Sequence, residues 1–149
     1  MRPRIPIAIG VPDTPEELEE YYRFRWNLLR APWDQPFGSE RDAFDAVAHH
    51  LLARNKAGEI VGVGRIHFPT TSQAQIRYMA TSDNCRGLGI GSTILTFLEK
   101  VAHDNEARMI LLNARTSAVS FYEHRGYAIQ GEGPTLFGKI QHKTMTKAL

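Results

Sequence analysis

The residues that most clearly suggest a ligand-binding function form a glycine-rich run, Arg-Gly-Leu-Gly-Ile-Gly, at positions 86–91. The run stands between a predicted strand and a predicted helix whose apolar stripe begins at Ile90. Glycine lets a backbone approach a ligand closely, and the free N–H groups at a helix start attract anions. The spacing therefore leaves two interpretations open: a site for a phosphate-bearing cofactor, or a turn that lets helix and sheet pack together.

Two established phosphate-binding patterns fit this run less well. A Walker loop ends in Gly-Lys-Ser or Gly-Lys-Thr, whereas Gly91 is followed by Ser92 and Thr93. A dinucleotide-binding fingerprint is G-x-G-x-x-G, whereas this run is G-x-G-x-G and follows strands that look antiparallel. A nucleotide-phosphate binder therefore stands as a third interpretation behind the first two.

A second motif, Phe-Tyr-Glu-His-Arg-Gly-Tyr, ends a predicted short helix at positions 121–127. With both motifs present, the sequence resembles the GNAT acetyltransferase superfamily over about residues 46–146. Arg86, Gly89 and Gly91 fit its acyl-CoA signature, Gln/Arg-x-x-Gly-x-Gly/Ala, and the second motif fits its Phe-Tyr and glycine-aromatic signature. One departure is visible, because Arg115 stands where many members carry asparagine.

The resemblance implies an acyl-CoA-dependent N-acetyltransferase that uses acetyl-CoA as the acyl donor and needs no metal. Backbone groups at a strand end would bind the pantetheine arm, and the glycine run would bind the pyrophosphate. The residues that it assigns to the donor are Met79, Ala80, Thr81, Arg86, Gly87, Leu88, Gly89, Ile90, Gly91 and Ser92. The alternative is a non-catalytic acyl-CoA-binding or regulatory module.

Direct attack of a primary amine on a thioester sets the chemical requirements of such a site. An amine with a lysine-like pKa is neutral in only about one molecule in 2,500 at pH 7, a penalty of about 4.6 kcal/mol. The site must therefore offer a base or lower the amine pKa, and it must protonate the departing thiolate. The resemblance assigns the acid role to Tyr122, and we prefer His142 as the base because a late strand borders the acceptor side of this fold. The other candidates for the base are His49, His50, His67 and Glu132.

An aromatic loop after the first predicted helix is the candidate acceptor-binding segment. Trp33 and Phe37 could form walls of a pocket there, while Glu40 or Asp42 could attract a cationic amine. Equally, the aromatic side chains could anchor the loop to the core while the acids face solvent. The acceptor is left open, as a small-molecule amine or a protein amine.

Composition sets the limits within which these motifs must work. The chain of 149 residues predicts one domain, residues 1–149, and a net charge of +2 argues against binding nucleic acid through bulk charge. No apolar run approaches the roughly 20 residues that span a bilayer, so we expect no membrane partner. A single cysteine, Cys85, excludes an internal disulfide and favours a reducing, cytoplasmic location. The six histidines show no metal-ligand spacing, and homodimers are common on the resembled fold.

The elements that must position these residues alternate between helical and strand-like patterns. Thr14 and Pro15 begin a helix that ends before Pro32, and further helices are predicted from Ile90 and over residues 117–124. The predicted strands cover residues 46–54, 59–68, 74–80, 109–112, 127–129 and 136–145. This order predicts an α/β domain in which helices flank a mixed, mainly antiparallel sheet.

Overall fold

In the computed structural model, which describes residues 5–149, one seven-stranded sheet lies between helices on its two faces. The strands are β1 (Ala8–Gly10), β2 (His49–Arg54), β3 (Ile60–His67), β4 (Gln73–Thr81), β5 (Met109–Arg115), β6 (Ala128–Leu136) and β7 (Ile140–Ala148). The helices are α1 (Pro15–Leu29), α2 (Ile90–Asp104) and α3 (Val119–Glu123), with short 3-10 turns at Ala31–Trp33, Asp83–Cys85 and Thr116–Ala118. The sheet order is β1-β2-β3-β4-β5-β7-β6.

The mixed, mainly antiparallel sheet is confirmed. Strands β4 and β5 run parallel, whereas the other neighbouring pairs found within residues 5–149 run antiparallel. Successive residues of β2 bury against opposite layers: Leu51 packs into the core under α2, and Leu52 packs with Tyr21 of α1. The two long helices therefore cover opposite faces of the sheet.

Helix α1 begins where its capping residues predict. The Thr14 side chain accepts a hydrogen bond from the N–H of Glu17, and Pro15 occupies the first helical turn. The helix ends at Leu29, and a 3-10 turn around Pro32 then redirects the chain. The end of α1 is thereby held at the edge of the cleft described below.

Helix α2 packs closely on β3 because that strand carries glycines. A Cβ at Gly62 would lie 2.7 Å from the side chains of both Ile90 and Ile94, and one at Gly64 would lie 2.8 Å from the side chain of Ile94. These distances are shorter than van der Waals contact. The two glycines therefore fix how closely the start of α2 approaches the sheet.

A bulge in β4 lies close to the point where this strand separates from β5. The β3–β4 register shifts between Val63 and Arg65, and Tyr78 takes a positive φ of 59°. Such a conformation costs a non-glycine residue about 1–3 kcal/mol, and the Tyr78 ring lies 4.2 Å from the Arg25 guanidinium, which offsets part of that cost. Parallel pairing with β5 ends at Ile76, although β4 continues to Thr81. The two strands therefore splay apart and leave a gap.

Several predicted boundaries need correction. Strand β2 starts at His49, because residues 42–47 form turns. The helix predicted over residues 117–124 begins as a 3-10 turn, and α3 itself is only five residues long. Strand β6 is longer than predicted, and β7 begins at Ile140 rather than at residue 136; the turn between them has positive φ at Phe137 and Gly138. Strand β1 was not predicted.

Among residues 5–149, no helix is both long and apolar enough to cross a membrane. The same part of the chain contains no cluster of three or more His, Cys, Asp or Glu side chains suited to a metal ion.

Candidate functional site

The gap between β4 and β5 opens into two adjoining cavities. The larger, about 940 Å³, follows the glycine-rich run and is called here the glycine-loop cleft. The smaller, about 420 Å³, reaches between the strands and is called the inner cavity. The residues that line both are Leu29, Met79, Arg115, Ala118 and Tyr122. A ligand in the cleft could therefore extend one end into the inner cavity.

The glycine-loop cleft contains the start of α2 with its N–H groups uncapped. Gly87 and Gly89 take positive φ values of 78° and 85°, which glycine adopts without the penalty that a side chain brings. Gly89 is the N-cap, and no side chain caps this 15-residue helix. A Cβ at Gly91 would lie 3.5 Å from the ring of Phe121, so this side of the cleft is narrow. The donors and the helix dipole together suit a phosphate group.

The opposite side of the cleft is the free edge of β4. Met79, Ala80 and Thr81 line it beyond the last pair of the β4–β5 ladder, Ile76 with Leu112. Backbone groups on this edge are available to an extended ligand that carries amides of its own, in the manner of an added strand. Arg86 lies at the exposed rim, where its guanidinium is 3.1 Å from Asp83. The residues predicted to bind the acyl donor thus line one continuous cleft.

Tyr122 stands where the two cavities meet. Its side chain is buried, with the rings of Phe121 and Tyr127 in edge contact at 5.0 and 5.7 Å. Its hydroxyl has no hydrogen-bond partner among residues 5–149. Burial raises the pKa of Tyr122 to about 12, and the charge of Arg125 offsets this only in part. The phenol therefore keeps its proton at neutral pH.

His142 lines the inner cavity from β7. Its Nδ1 lies 3.0 Å from the carbonyl oxygens of both Pro134 and Ile140. Carbonyl oxygens can only accept, so this geometry assigns a ring proton to Nδ1, and in the neutral imidazole the lone pair is then on Nε2. The inner cavity is thus lined by one group that can donate a proton, Tyr122, and one that can accept a proton.

The aromatic loop is placed differently from its predicted role. Trp33 lines the glycine-loop cleft rather than the inner cavity. Phe37 lines neither cavity and instead contacts Trp26, with ring centroids 5.7 Å apart. Glu40 also lines neither, and the prediction that it attracts an amine needs correction. Its carboxylate is fully buried and accepts hydrogen bonds from Gly38 N–H and the Arg41 side chain.

The other candidate bases also lie outside both cavities. His49 is exposed against Phe68, and Glu132 is exposed and paired with Lys143. His50 and His67 contact the buried arginines of α1 and β3, and burial lowers the pKa of each imidazole. His142 is therefore the candidate base that the fold brings to the inner cavity.

A network of ion pairs holds the loop of residues 42–47 against α1 and the sheet. The Asp42 carboxylate binds Arg65 and Arg77, and Asp45 binds Arg25 and Arg65. Burial alone would raise the pKa of Asp42, but hydrogen bonds and the arginine charges hold it at about 2. Asp42 is therefore committed to these partners and is not free to attract an amine.

Sequence reasoning missed the arginines of the inner cavity. Arg30, Arg77 and Arg115 all line it, whereas none of its lining residues is an aspartate or glutamate. Arg115 was visible only as a departure from the family signature. Gln75 and Arg77 give a second signal, since alternate polar residues on β4 share one face of the sheet. Arg30 gave no such signal, because the position of the end of α1 relative to β4 depends on tertiary packing.

Comparisons with known proteins identify the family and the fold. Residues 16–127 match the family described as Acetyltransferase (GNAT) family. The chain is 28% identical over 132 residues to the uncharacterised N-acetyltransferase YjcF of Bacillus subtilis, covering 89% of this chain and 93% of that protein. It superposes on an acyl-CoA N-acyltransferase from Pseudomonas aeruginosa with a TM-score of 0.81, at 22% identity over 97% and 99% of the two chains. An aminoglycoside 6'-N-acetyltransferase complexed with coenzyme A gives a TM-score of 0.75, at 17% identity over 95% and 96%.

Proposed function

Because the chain belongs to the GNAT acetyltransferase family, we propose that it transfers an acetyl group from acetyl-CoA to a primary amine by direct attack. The observation that carries the proposal is the junction of the two cavities at Tyr122. A donor in the glycine-loop cleft and an acceptor in the inner cavity would meet beside a protonated phenol. The crystal structure of the aminoglycoside acetyltransferase of the same fold, which contains coenzyme A, supports the choice of donor.

The uncapped start of α2 is proposed to hold the donor's pyrophosphate. N–H groups of the glycine run would donate to its oxygens, and the helix dipole adds about 0.3–1 kcal/mol. The free edge of β4 at residues 79–81 would bind the amides of the pantetheine arm. When bound, acetyl-CoA supplies the activated acyl group as a thioester. Every remaining requirement falls on side chains of this protein.

The first requirement is a neutral amine. The cations Arg30, Arg77 and Arg115 line the inner cavity. They disfavour the positive charge of a protonated amine there and so lower the pKa of the bound amine. His142 would take the proton that the nitrogen must lose, through the Nε2 lone pair that its backbone contacts leave available. Both effects raise the fraction of acceptor able to attack.

The second requirement is a proton for the departing sulfur. The nitrogen–carbon bond forms and the carbon–sulfur bond breaks, so the nitrogen loses one proton and the sulfur gains one. We assign the donation to the Tyr122 hydroxyl, which lines both cavities. The products are then an N-acetyl amide and free CoA, and proton exchange with water restores the His142 lone pair and the Tyr122 phenol.

Release of CoA thiol tests this proposal. The full-length protein is incubated with acetyl-CoA and each of a set of amines, and free thiol is measured with time. We expect at least one amine to release thiol well above the rate without amine. Thermal shift with acetyl-CoA is the parallel measurement, because a ligand at 100 times its Kd adds about 2.7 kcal/mol of stability. Stabilisation without thiol release by any amine would replace the enzyme with a non-catalytic acyl-CoA-binding module.

A further inference from the structure

We propose that the acceptor is a small amine that also carries an anionic group, a carboxylate or a phosphate, and that Arg30 and Arg115 bind that group. This inference rests on the proposed acetyl transfer and narrows its substrate class. It follows from the charges that line the inner cavity, the partners that those charges already have, and the register of β5 with β7.

The charge of the lining is one-sided. Three arginines line the inner cavity, and its other polar side chains include the neutral amides of Gln75 and Asn113. A polyamine or aminoglycoside needs carboxylates to hold its cations, and this lining contains none. An anionic group on the substrate is the complementary choice.

The three arginines differ in how far their charge is already balanced. Arg77 donates to the Asp42 carboxylate at 2.9 Å. Arg30 is 7% exposed; its side chain donates hydrogen bonds to the backbone carbonyls of Ser39 and Leu29 and lies over the rings of Tyr78 and Phe137. These carbonyls satisfy donors but supply no negative charge, and no carboxylate in the described part of the chain is within 4.0 Å of Arg30.

The charge of Arg115 is balanced even less than that of Arg30. It is half-buried on β5, and within residues 5–149 it makes neither a side-chain hydrogen bond nor an ion pair. Burial lowers the pKa of both Arg30 and Arg115, and the neighbouring arginine charges lower it further. A guanidinium held in this way gains from an anion that arrives with the substrate, and its planar fork matches a carboxylate or phosphate.

The sheet register places this anion site beside the candidate base. Arg115 and His142 are directly opposed in the antiparallel β5–β7 pair. Opposed residues project to the same face, with Cα atoms roughly 5 Å apart. An anion on Arg115 and a nitrogen near His142 are therefore separated by a few bonds, as in an amino acid or a short amino-phosphate.

The size of the cavity agrees with such a substrate. At about 420 Å³ the inner cavity is in the lower part of the roughly 300–1,000 Å³ range of small-molecule sites. It accommodates a free amino acid or phosphoethanolamine more readily than a large branched polycation. The acceptor is therefore expected to be a small metabolite rather than a folded protein.

The test compares matched amines with and without the anionic group. Alanine is paired with alaninamide, phosphoethanolamine with ethanolamine, and spermidine and kanamycin represent cationic acceptors. We expect an anionic member to have kcat/KM about tenfold or more above its neutral partner. The alanine and phosphoethanolamine arms distinguish carboxylate from phosphate.

Two variants connect the preference to the structure. Arg115→Gln should lower kcat/KM for the preferred anionic amine by about tenfold or more and remove its advantage over the neutral partner. The control is Arg108→Gln, an exposed residue outside both cavities, which should leave both values unchanged. Arg115 also lines the glycine-loop cleft, so the KM for acetyl-CoA is measured alongside and should change little.

The outcomes separate this inference from the proposed function. Preferred transfer to the neutral or cationic amines would overturn the anionic acceptor and leave acetyl transfer standing. If no amine is acetylated, the CoA-loaded protein is heated with each amine. A rise in Tm with the anionic members that Arg115→Gln abolishes supports the anion site on its own, and no rise with any of them overturns it.

Discussion

Tyr122 and His142 come to one cavity from different elements, α3 and β7, and their hydrogen-bonding surroundings differ. The phenol is buried without a partner in the described residues, which raises its pKa to about 12. The imidazole directs Nδ1 at two backbone carbonyls, which leaves Nε2 as the acceptor. In the proposed mechanism these surroundings suit Tyr122 to donate a proton and His142 to accept one.

Replacing Tyr122 with phenylalanine tests the acid directly. The change removes one hydroxyl and leaves the ring that packs on Phe121 and Tyr127. We expect kcat to fall about 100-fold, because a positioned general acid contributes that much or more. The dissociation constant of CoA, measured by calorimetry, should stay within about twofold, since no donor in the glycine run is altered.

The pH profile adds a second condition on the same residue. With a raised pKa, Tyr122 stays protonated from about pH 7 to about pH 10 and should cause no loss of kcat in that range. An alkaline loss near pH 8 that disappears in Tyr122→Phe would contradict the raised pKa. Unchanged turnover in the variant would remove Tyr122 from the mechanism.

At the scale of elements, the site depends on how α2 sits on β3 and how β4 parts from β5. The glycines of β3 let the helix approach, and the bulge at Tyr78 ends the parallel ladder at Ile76. Together these features form one cleft with N–H donors on one side and a free strand edge on the other.

A methyl group at Gly62 tests the helix position. The Cβ of Gly62→Ala would lie 2.7 Å from Ile90 at the first turn of α2, so the helix start must shift. We expect a loss of stability of roughly 1–3 kcal/mol from overpacking, together with weaker CoA binding. Denaturant unfolding and CoA titration measure the two effects.

Gly131→Ala is the matched control. Gly131 lies on β6, and a Cβ there meets nothing within 4 Å. Its stability and CoA affinity should match the wild type within about 0.5 kcal/mol. Equal behaviour of the two alanine variants would show that close approach of α2 to β3 does not set the cleft.

Local patterns predicted some elements well and could not predict others. The cap at Thr14 and the stripe from Ile90 are local in sequence, so both helices began as expected. Strand β1 has three residues and is defined by pairing with β2, about 40 positions away, so no local signal marked it. The bulge at Tyr78 is likewise set by the neighbouring strand.

The site divides in the same way. The glycine run is contiguous, so its cleft could be predicted from residues 86–91 alone. Glu40 looked like a free loop acid, yet the fold buries it against the backbone and Arg41. The inner cavity collects arginines from α1, β4 and β5, and no spacing in the sequence connects these three positions.

Across the whole molecule, a net charge of +2 conceals an uneven distribution. Arg25 and Arg65 are fully buried and are held by Asp45, while Asp42 connects Arg65 to Arg77 at the inner cavity. Buried cations need such partners, because removing one leaves an uncompensated charge. The loop of residues 42–47 is therefore a structural support beneath the site.

The acid stability of the protein tests this support. In the folded state the pKa of Asp42 is about 2, below its usual value of 3.8, so its contribution is present above about pH 4 and is lost as pH falls toward 2. Asp42→Asn should cost roughly 1.5–3 kcal/mol at neutral pH, measured by denaturant unfolding. The difference from wild type should shrink between about pH 4 and pH 2. A difference that does not vary with pH would contradict the lowered pKa.

The most direct test of acetyl transfer from acetyl-CoA to an amine follows the acetyl group itself. Acetyl-CoA with an isotopically labelled acetyl group is incubated with the protein and each amine, and mass spectrometry quantifies labelled amide beside released CoA. We expect labelled N-acetyl product in an amount equal to the CoA released, first among the amines that carry an anionic group. CoA released without labelled amide, or labelled donor that binds and is never consumed, would contradict it.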